Sequence, residues 1–175
     1  DGLTPGLSKG FVYADCWGDD ARMVVANARA AAGLGATIMT RTTCVAARRE
    51  GAFWRATLQP GSATPIDTTC RALVNVSGPW AKQFLNKNIQ LHTPYNLKLV
   101  KGSHIIVPRI YNGEHAFILQ NDDRRVAFVY PYEERYTLIG TTDVEHTGEP
   151  GACTASPEEI GYLCRAVNRY FARIT

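Results

Sequence analysis

VKGSHIIVPRI, residues 100–110, decides how the second half of this chain is read. Val100, Ile105 and Val107 carry the β-branched character of a strand, yet Lys101, Gly102, Ser103 and His104 interrupt its first half. On a regular strand, residues 101 and 103 face one side and 102 and 104 the other. Lys101 and His104 therefore share a face only if Gly102 introduces a bulge. Histidine is the side chain best suited to move protons near neutral pH, and a nearby lysine is suited to bind an anion. Spacing alone does not join the two in one site, and a satisfied or solvated histidine is the plainer reading.

Working outward from this stretch, the pattern from Lys98 on is an antiparallel meander. Its strands are residues 99–109, 116–120, 125–131 and 136–141, with turns at Asn112-Gly113, Asn121-Asp122-Asp123 and Glu133-Glu134. Thr141-Thr142-Asp143 sits at a strand end, a position that can line a ligand cleft, although a simple turn explains it as well. After a loop at 145–155, Ser156-Pro157-Glu158-Glu159 forms a capping box with proline at the first helical position. Ile160, Leu163, Cys164, Val167, Phe171 and Ile174 then make a buried stripe, and Arg165, Arg169 and Arg173 make a wet face.

The first half mixes helix and strand. Asp19-Asp20 open a helix whose apolar face is mostly small (Ala21, Val24, Val25, Ala28, Ala31), and Gly33 and Gly35 close it. A short buried strand is expected at 36–40, then a hairpin of 43–49 with 53–58 turning at Glu50-Gly51, and a loop at 59–65. Residues 70–76 read as a buried strand that runs into Ser77-Gly78-Pro79-Trp80 and a short helix to Leu85. A helix start of this kind presents free N–H groups that suit a pyrophosphate or a flavin ring, though Gly-Pro at a helix start is more often plain structure.

Composition sets the outer bounds. At 175 residues with 45% apolar and 20% charged residues, the chain is an ordinary globular one, long enough to bury a core. A net charge of +3 without basic runs excludes the electrostatic footprint of a nucleic-acid binder. Five cysteines without a CxxC pair argue against a zinc site or a disulfide scaffold, and a reduced, cytosolic chain follows. No glycine-rich dinucleotide fingerprint, phosphate loop, nucleophile elbow or zinc-protease motif is present. The first residue is Asp1 and a helix pattern is still running at Thr175, so a piece of a longer protein is expected.

Six collinear stretches together resemble the FAD-dependent, quinone-linked glycerol-3-phosphate dehydrogenases: residues 9–22, 40–54, 73–84, 98–109, 118–123 and 139–150. The resemblance runs over nearly the whole chain. It implies an α+β fold in which part of a Rossmann-type FAD domain (1–85) is interleaved with a mostly antiparallel-sheet substrate domain (86–175). It also implies the activity: hydride leaves C2 of glycerol 3-phosphate for the flavin and the electrons pass to quinone. The parent enzyme would be a cytoplasmic protein bound peripherally at the inner face of the membrane, and a homo-oligomer.

Residue by residue, the resemblance assigns Cys44 to a backbone contact with the FAD adenine, and Ser77, Gly78 and Trp80 to the turn near the diphosphate and ribose. Ser103, His104 and Thr142 line the substrate pocket in this reading, with His104 as the catalytic group and Lys101-Gly102 as scaffold. No metal is implied. The family's FAD fingerprint precedes these stretches and its phosphate-clamping basic residues follow them, so weak or absent FAD binding by these 175 residues is expected, with core surface left open to self-association. Two other readings stay open: a different flavin oxidase acting on amines or amino acids, and a stand-alone binding domain without catalysis.

Overall fold

The computed structural model describes residues 2–151 and 153–172. They form two compact units: Val12–Leu97, and the residues up to Phe11 together with those from Lys98 on. The divide falls at 97/98, and the first eleven residues join the later unit. Both units combine helix with antiparallel sheet, which makes the chain α+β.

In the unit of 12–97, helix α1 spans Asp20–Gly33. Asp19 caps it by accepting from the Arg22 N–H, and Gly35 (φ +95°) turns the chain out of it. None of its residues is buried: Val24 and Val25 are 67% and 58% exposed. Strands β1 (Thr42–Glu50) and β2 (Phe53–Pro60) form the expected hairpin, with Gly51 at φ +58° in the turn. A bulge between Cys44 and Ala46 interrupts their register. Strand β3 (Ile66–Cys70) covers the other edge of β2.

Two expectations fail here. Residues 36–40 are irregular, with Ile38 and Met39 exposed, and residues 71–76 are not a strand, with Val74 and Val76 open to solvent. The reason is the same for both: a strand exists only through a neighbour that takes its backbone groups, and no described segment pairs with either run. Instead β3, which starts four residues before the expected strand, takes the place beside β2. Past Ser77 the chain makes a 3₁₀ turn (Gly78–Trp80), a single α turn, α2 (Ala81–Gln83), and a π-helical stretch (Phe84–Ile89) that ends at Gln90, φ +59°. The helical segment thus runs past Leu85, where it was expected to end.

The later unit is built on four antiparallel strands: β5 (His104–Pro108), β6 (Phe117–Gln120), β7 (Val126–Tyr132) and β8 (Tyr136–Gly140), after a short β4 (Val100–Lys101). Their order is β5-β8-β7-β6, a Greek key rather than a meander. Asn112-Gly113 therefore reverses the chain without pairing β5 and β6. Arg109 holds that turn, donating to the Gly113 carbonyl at 2.7 Å and the Glu134 carbonyl at 2.6 Å. The β6–β7 and β7–β8 turns fall as expected, the second with Glu133 and Glu134 both at positive φ.

Helix α3 (Pro157–Asn168) packs on β5 and β7, with the predicted capping box made in full. Val129, Ile139, Leu163, Val167 and Phe171 are 0–1% exposed, and Tyr111 and Phe117 stack around Phe171. Burying each such side chain contributes about 1.5–3 kcal/mol. The helix ends before Phe171, so that residue joins the core from the following turn, where the Ala172 N–H donates to the Gly2 carbonyl and the Thr4 N–H to the Tyr170 carbonyl, both at 2.8 Å. Ile160 is 41% exposed instead of buried, because Glu159 beside it faces inward; Arg173 and Ile174 lie outside the described residues. Arg169 pairs with Asp122 at 2.5 Å, and the Arg125 guanidinium lies 4.1 Å over the Tyr162 ring.

Candidate functional site

The predicted strand over 99–109 breaks at Gly102-Ser103. Before the break, β4 pairs with β9 (Val144–Glu145); after it, β5 pairs with β8. Lys101 stands opposite Val144 and His104 opposite Gly140, so two residues on one side face three on the other. The extra residue lies in 141–143, opposite Gly102 rather than at it, which is a bulge in the partner strand. A Cβ on Gly102 would collide with Thr141 Oγ1, which accounts for glycine there.

Alternation survives the break. Lys101 and Ser103 both reach inward to Glu159 on α3: Lys101 Nζ at 2.7 Å from Oε2, and Ser103 Oγ donating to Oε1 at 2.9 Å. Thr142 Oγ1 donates to the same Oε1 at 2.8 Å and accepts from the Ser103 N–H at 2.9 Å. Lys101 also donates to the Thr154 carbonyl at 2.9 Å. Glu159 is 5% exposed. The lysine ammonium first, and then the Ser156 N–H, hold its carboxyl down at about 2, against the ordinary 4.5. Ser103 and Thr142, expected at substrate, are 7% and 3% exposed with their hydroxyls committed to this carboxylate.

His104 lies on the opposite, open face of the sheet. Its ring lies directly over Gly140, so closely that any Cβ at 140 would overlap it. Among the described residues, no hydrogen-bond partner occupies its ring nitrogens. The row across the strands continues through Gly140, Phe128 and Ile118, and Ile106 stands two residues further along on the same face. Phe128, Ile118 and Ile106 are 40%, 43% and 55% exposed. An open apolar floor with one imidazole at its edge can seat a small ligand and exchange a proton with it.

The predicted cofactor residues lie in the unit of 12–97. Gly78 has φ +55° and nothing within 4 Å of where a Cβ would stand, while Trp80 and Val76 are 43% and 84% exposed. Ser77 Oγ donates to Asn75 Oδ1 at 2.6 Å, and Asn75 Nδ2 donates to the Ala81 carbonyl at 2.9 Å, fixing the turn. Cys44 sits at the bulge of β1. Asn88 Nδ2 donates to the Cys44 and Val45 carbonyls at 3.1 and 3.0 Å, tying the helical segment after the Ser77 turn to that bulge. The glycine turn is thus open, with Val74, Val76 and Trp80 exposed around it in the sequence.

Two features escaped the sequence reading. Glu159 was visible as a cap but not as the centre of a buried network. His146 Nε2 lies 3.6 Å from Cys153 Sγ in the 145–155 loop, a pairing that its spacing did not announce. Among the described residues no group of three or more His, Cys, Asp or Glu could hold a metal ion.

The whole chain, residues 1–175, matches the family model described as FAD dependent oxidoreductase. The chain belongs to that family. It is 47% identical to a glycerol-3-phosphate dehydrogenase of Pseudomonas aeruginosa over 94% of its length, and 44% identical to the aerobic glycerol-3-phosphate dehydrogenase of Escherichia coli over 98%. It is also 46% identical, over 94%, to a D-erythritol 1-phosphate dehydrogenase of Brucella abortus. These alignments cover 32%, 34% and 33% of the respective relatives, so the chain spans about a third of the length of the curated relatives it matches.

Proposed function

We propose that this chain is the substrate-facing part of an FAD-dependent dehydrogenase that oxidises sn-glycerol 3-phosphate to dihydroxyacetone phosphate. One observation carries the reading: in a chain 44–47% identical to enzymes named for that reaction, His104 holds an imidazole, the side chain best suited to proton transfer near neutral pH, on the open face of the sheet. Oxidation at C2 removes a hydride from carbon and a proton from the hydroxyl. His104 accepts that proton as the C2–O bond becomes a carbonyl. FAD, when bound, supplies the two-electron acceptor for the hydride.

In this proposal Cys44 contacts the cofactor through its backbone, and Ser77, Gly78 and Trp80 line the turn beside it within a Rossmann-type domain. The electrons go on to quinone, and the enzyme works as a homo-oligomer on the cytoplasmic side of the membrane, held peripherally. No helix among the described residues is long and apolar enough to cross a membrane.

A second reading shares the chemistry with a longer substrate, because the D-erythritol 1-phosphate relative is as similar as the glycerol-phosphate ones. The test is His104→Asn in the full-length enzyme with FAD content matched by absorbance. Glycerol 3-phosphate turnover is expected to fall roughly 10²–10⁴-fold with the flavin spectrum unchanged. Activity within about twofold of the parent would remove His104 from the chemistry. The ratio of kcat/KM for the two polyol phosphates decides between the substrates.

A further inference from the structure

The bulge beside His104 is held by side chains rather than by a continuous ladder. Across the gap between the Lys101–Val144 and His104–Gly140 pairs, the Thr142 N–H still reaches the Ser103 carbonyl at 3.2 Å. The Ser103 N–H turns instead to the Thr142 hydroxyl, and that hydroxyl gives its own proton to Glu159. The same carboxylate takes Ser103 Oγ, Lys101 Nζ and, on the helix side, the Ser156 N–H at 2.9 Å. Both strands of the break and the first turn of α3 therefore meet on one side chain. His104 is the next residue along, on the other face, in contact with Gly140.

We propose that Glu159 is a positioning residue: its contacts with Lys101, Ser103 and Thr142 fix the 102–104 backbone and so set where the His104 imidazole stands. The inference rests on the reading of His104 given above. A capping glutamate needs only the backbone of Ser156. Glu159 makes that bond and then spends its remaining acceptor capacity on the strand break, across a sequence separation of 56 residues from Ser103. A buried carboxylate needs its charge paired and its lone pairs filled, and the groups that fill them here, Lys101, Ser103 and Thr142, all come from the strand break that carries His104. Displacing a catalytic group by about 1 Å costs on the order of 10²-fold in rate, so the clamp is worth its buried charge.

The test compares three variants of the full-length, FAD-loaded enzyme: Glu159→Gln, Thr142→Val and Ser156→Ala. Ser156→Ala removes the side-chain half of the cap and leaves the strand-break contacts in place. Assayed well below every melting temperature, Glu159→Gln is expected to lower kcat at least about tenfold beyond Ser156→Ala. It is also expected to move the His104 Cε1–H resonance, which is assigned by its disappearance in His104→Asn. Thr142→Val keeps the lysine pair intact and carries the test if Glu159→Gln does not fold; its expected loss is about threefold, with the same resonance moved.

Equal losses in Glu159→Gln and Ser156→Ala with an unmoved resonance would reduce Glu159 to a cap, and so would a kcat for Thr142→Val within experimental error of the parent with the resonance unmoved. Should His104→Asn stay active, the catalytic reading of His104 falls. The resonance still reports whether Glu159 sets its position, so the two failures are distinguishable.

Discussion

The two units of this chain are of similar size and similar secondary structure, yet they are held together differently. The unit from Lys98 on owns a core: Val129, Ile139, Leu163, Val167 and Phe171 are closed off between sheet and helix. In the unit of 12–97, the only buried apolar residues described are Ala47 and Ala56, each 4% exposed. No residue of its helix is buried, and its three strands are joined by backbone hydrogen bonds and a few polar ties such as Asn88. The difference teaches that secondary structure can be correct where tertiary support is thin. Local signals, namely the Asp19 cap, Gly35 and the Gly51 turn, are enough to write α1 and the hairpin. They are not enough to bury anything.

The largest test of this contrast is Leu163→Ala. The side chain is fully buried under the sheet, and its removal in this chain is expected to cost about 2–5 kcal/mol by urea denaturation. The fluorescence of the tryptophans, which all lie at Trp17, Trp54 and Trp80 in the other unit, gives a probe that should not follow the same transition. Coincident transitions from near-UV tyrosine and tryptophan signals would show that the two units share one cooperative core, and the contrast would be lost.

Next in size is the charge buried in the supported unit. Glu159 has its carboxyl lowered from 4.5 to about 2, chiefly by the Lys101 ammonium. A carboxylate whose pKa is lowered on folding adds stability that is present in full above the unfolded value. That stability disappears as pH falls through 4.5 toward 2. The gap in urea midpoint between parent and Glu159→Gln is therefore expected to be widest near neutral pH and to narrow on acidification across that window. A gap that stays constant from pH 6 to pH 2.5 would mean that the ionised carboxylate is not what Ser103, Thr142 and Lys101 require.

How much of this was legible in the sequence follows the same divide between local and non-local causes. Caps, turns and the alternation 101/103 against 102/104 are local, and each is found where the residues place it: Lys101 and Ser103 go to Glu159, and His104 goes the other way. Strand partners are not local. Asn112-Gly113 specifies a reversal of the chain but not which strand lies beside β5, and the Greek-key order was invisible for that reason. Residues 71–76 have the composition of a buried strand, but composition does not supply the neighbour that makes one. Glu159 shows the same limit within a single side chain. Its spacing from Ser156 announces a capping box, and nothing in the sequence announces the partners 17 to 58 residues away.

The smallest expected effect sharpens the comparison most. Val24 is 67% exposed on α1, and valine is the poorer helix former because its branched side chain loses rotamer freedom against the preceding turn. In this chain, Val24→Ala should leave stability within about 0.5 kcal/mol, with the sign favouring alanine. The same substitution in the full-length flavoenzyme tests a different state of the same helix. If α1 lies against a sheet there, as a small-residue face starting at Ala21 and repeating through Ala28 and Ala31 suits, the valine side chain is buried and its truncation costs about 1 kcal/mol or more. A change of sign between the two contexts, read from urea midpoints of the short and long chains, would show that the bare face of α1 is a covered face in the whole enzyme. Equal small effects in both would mean that α1 is a solvent-facing helix in its own right, and that the thin support of its unit is how this part of the molecule is built.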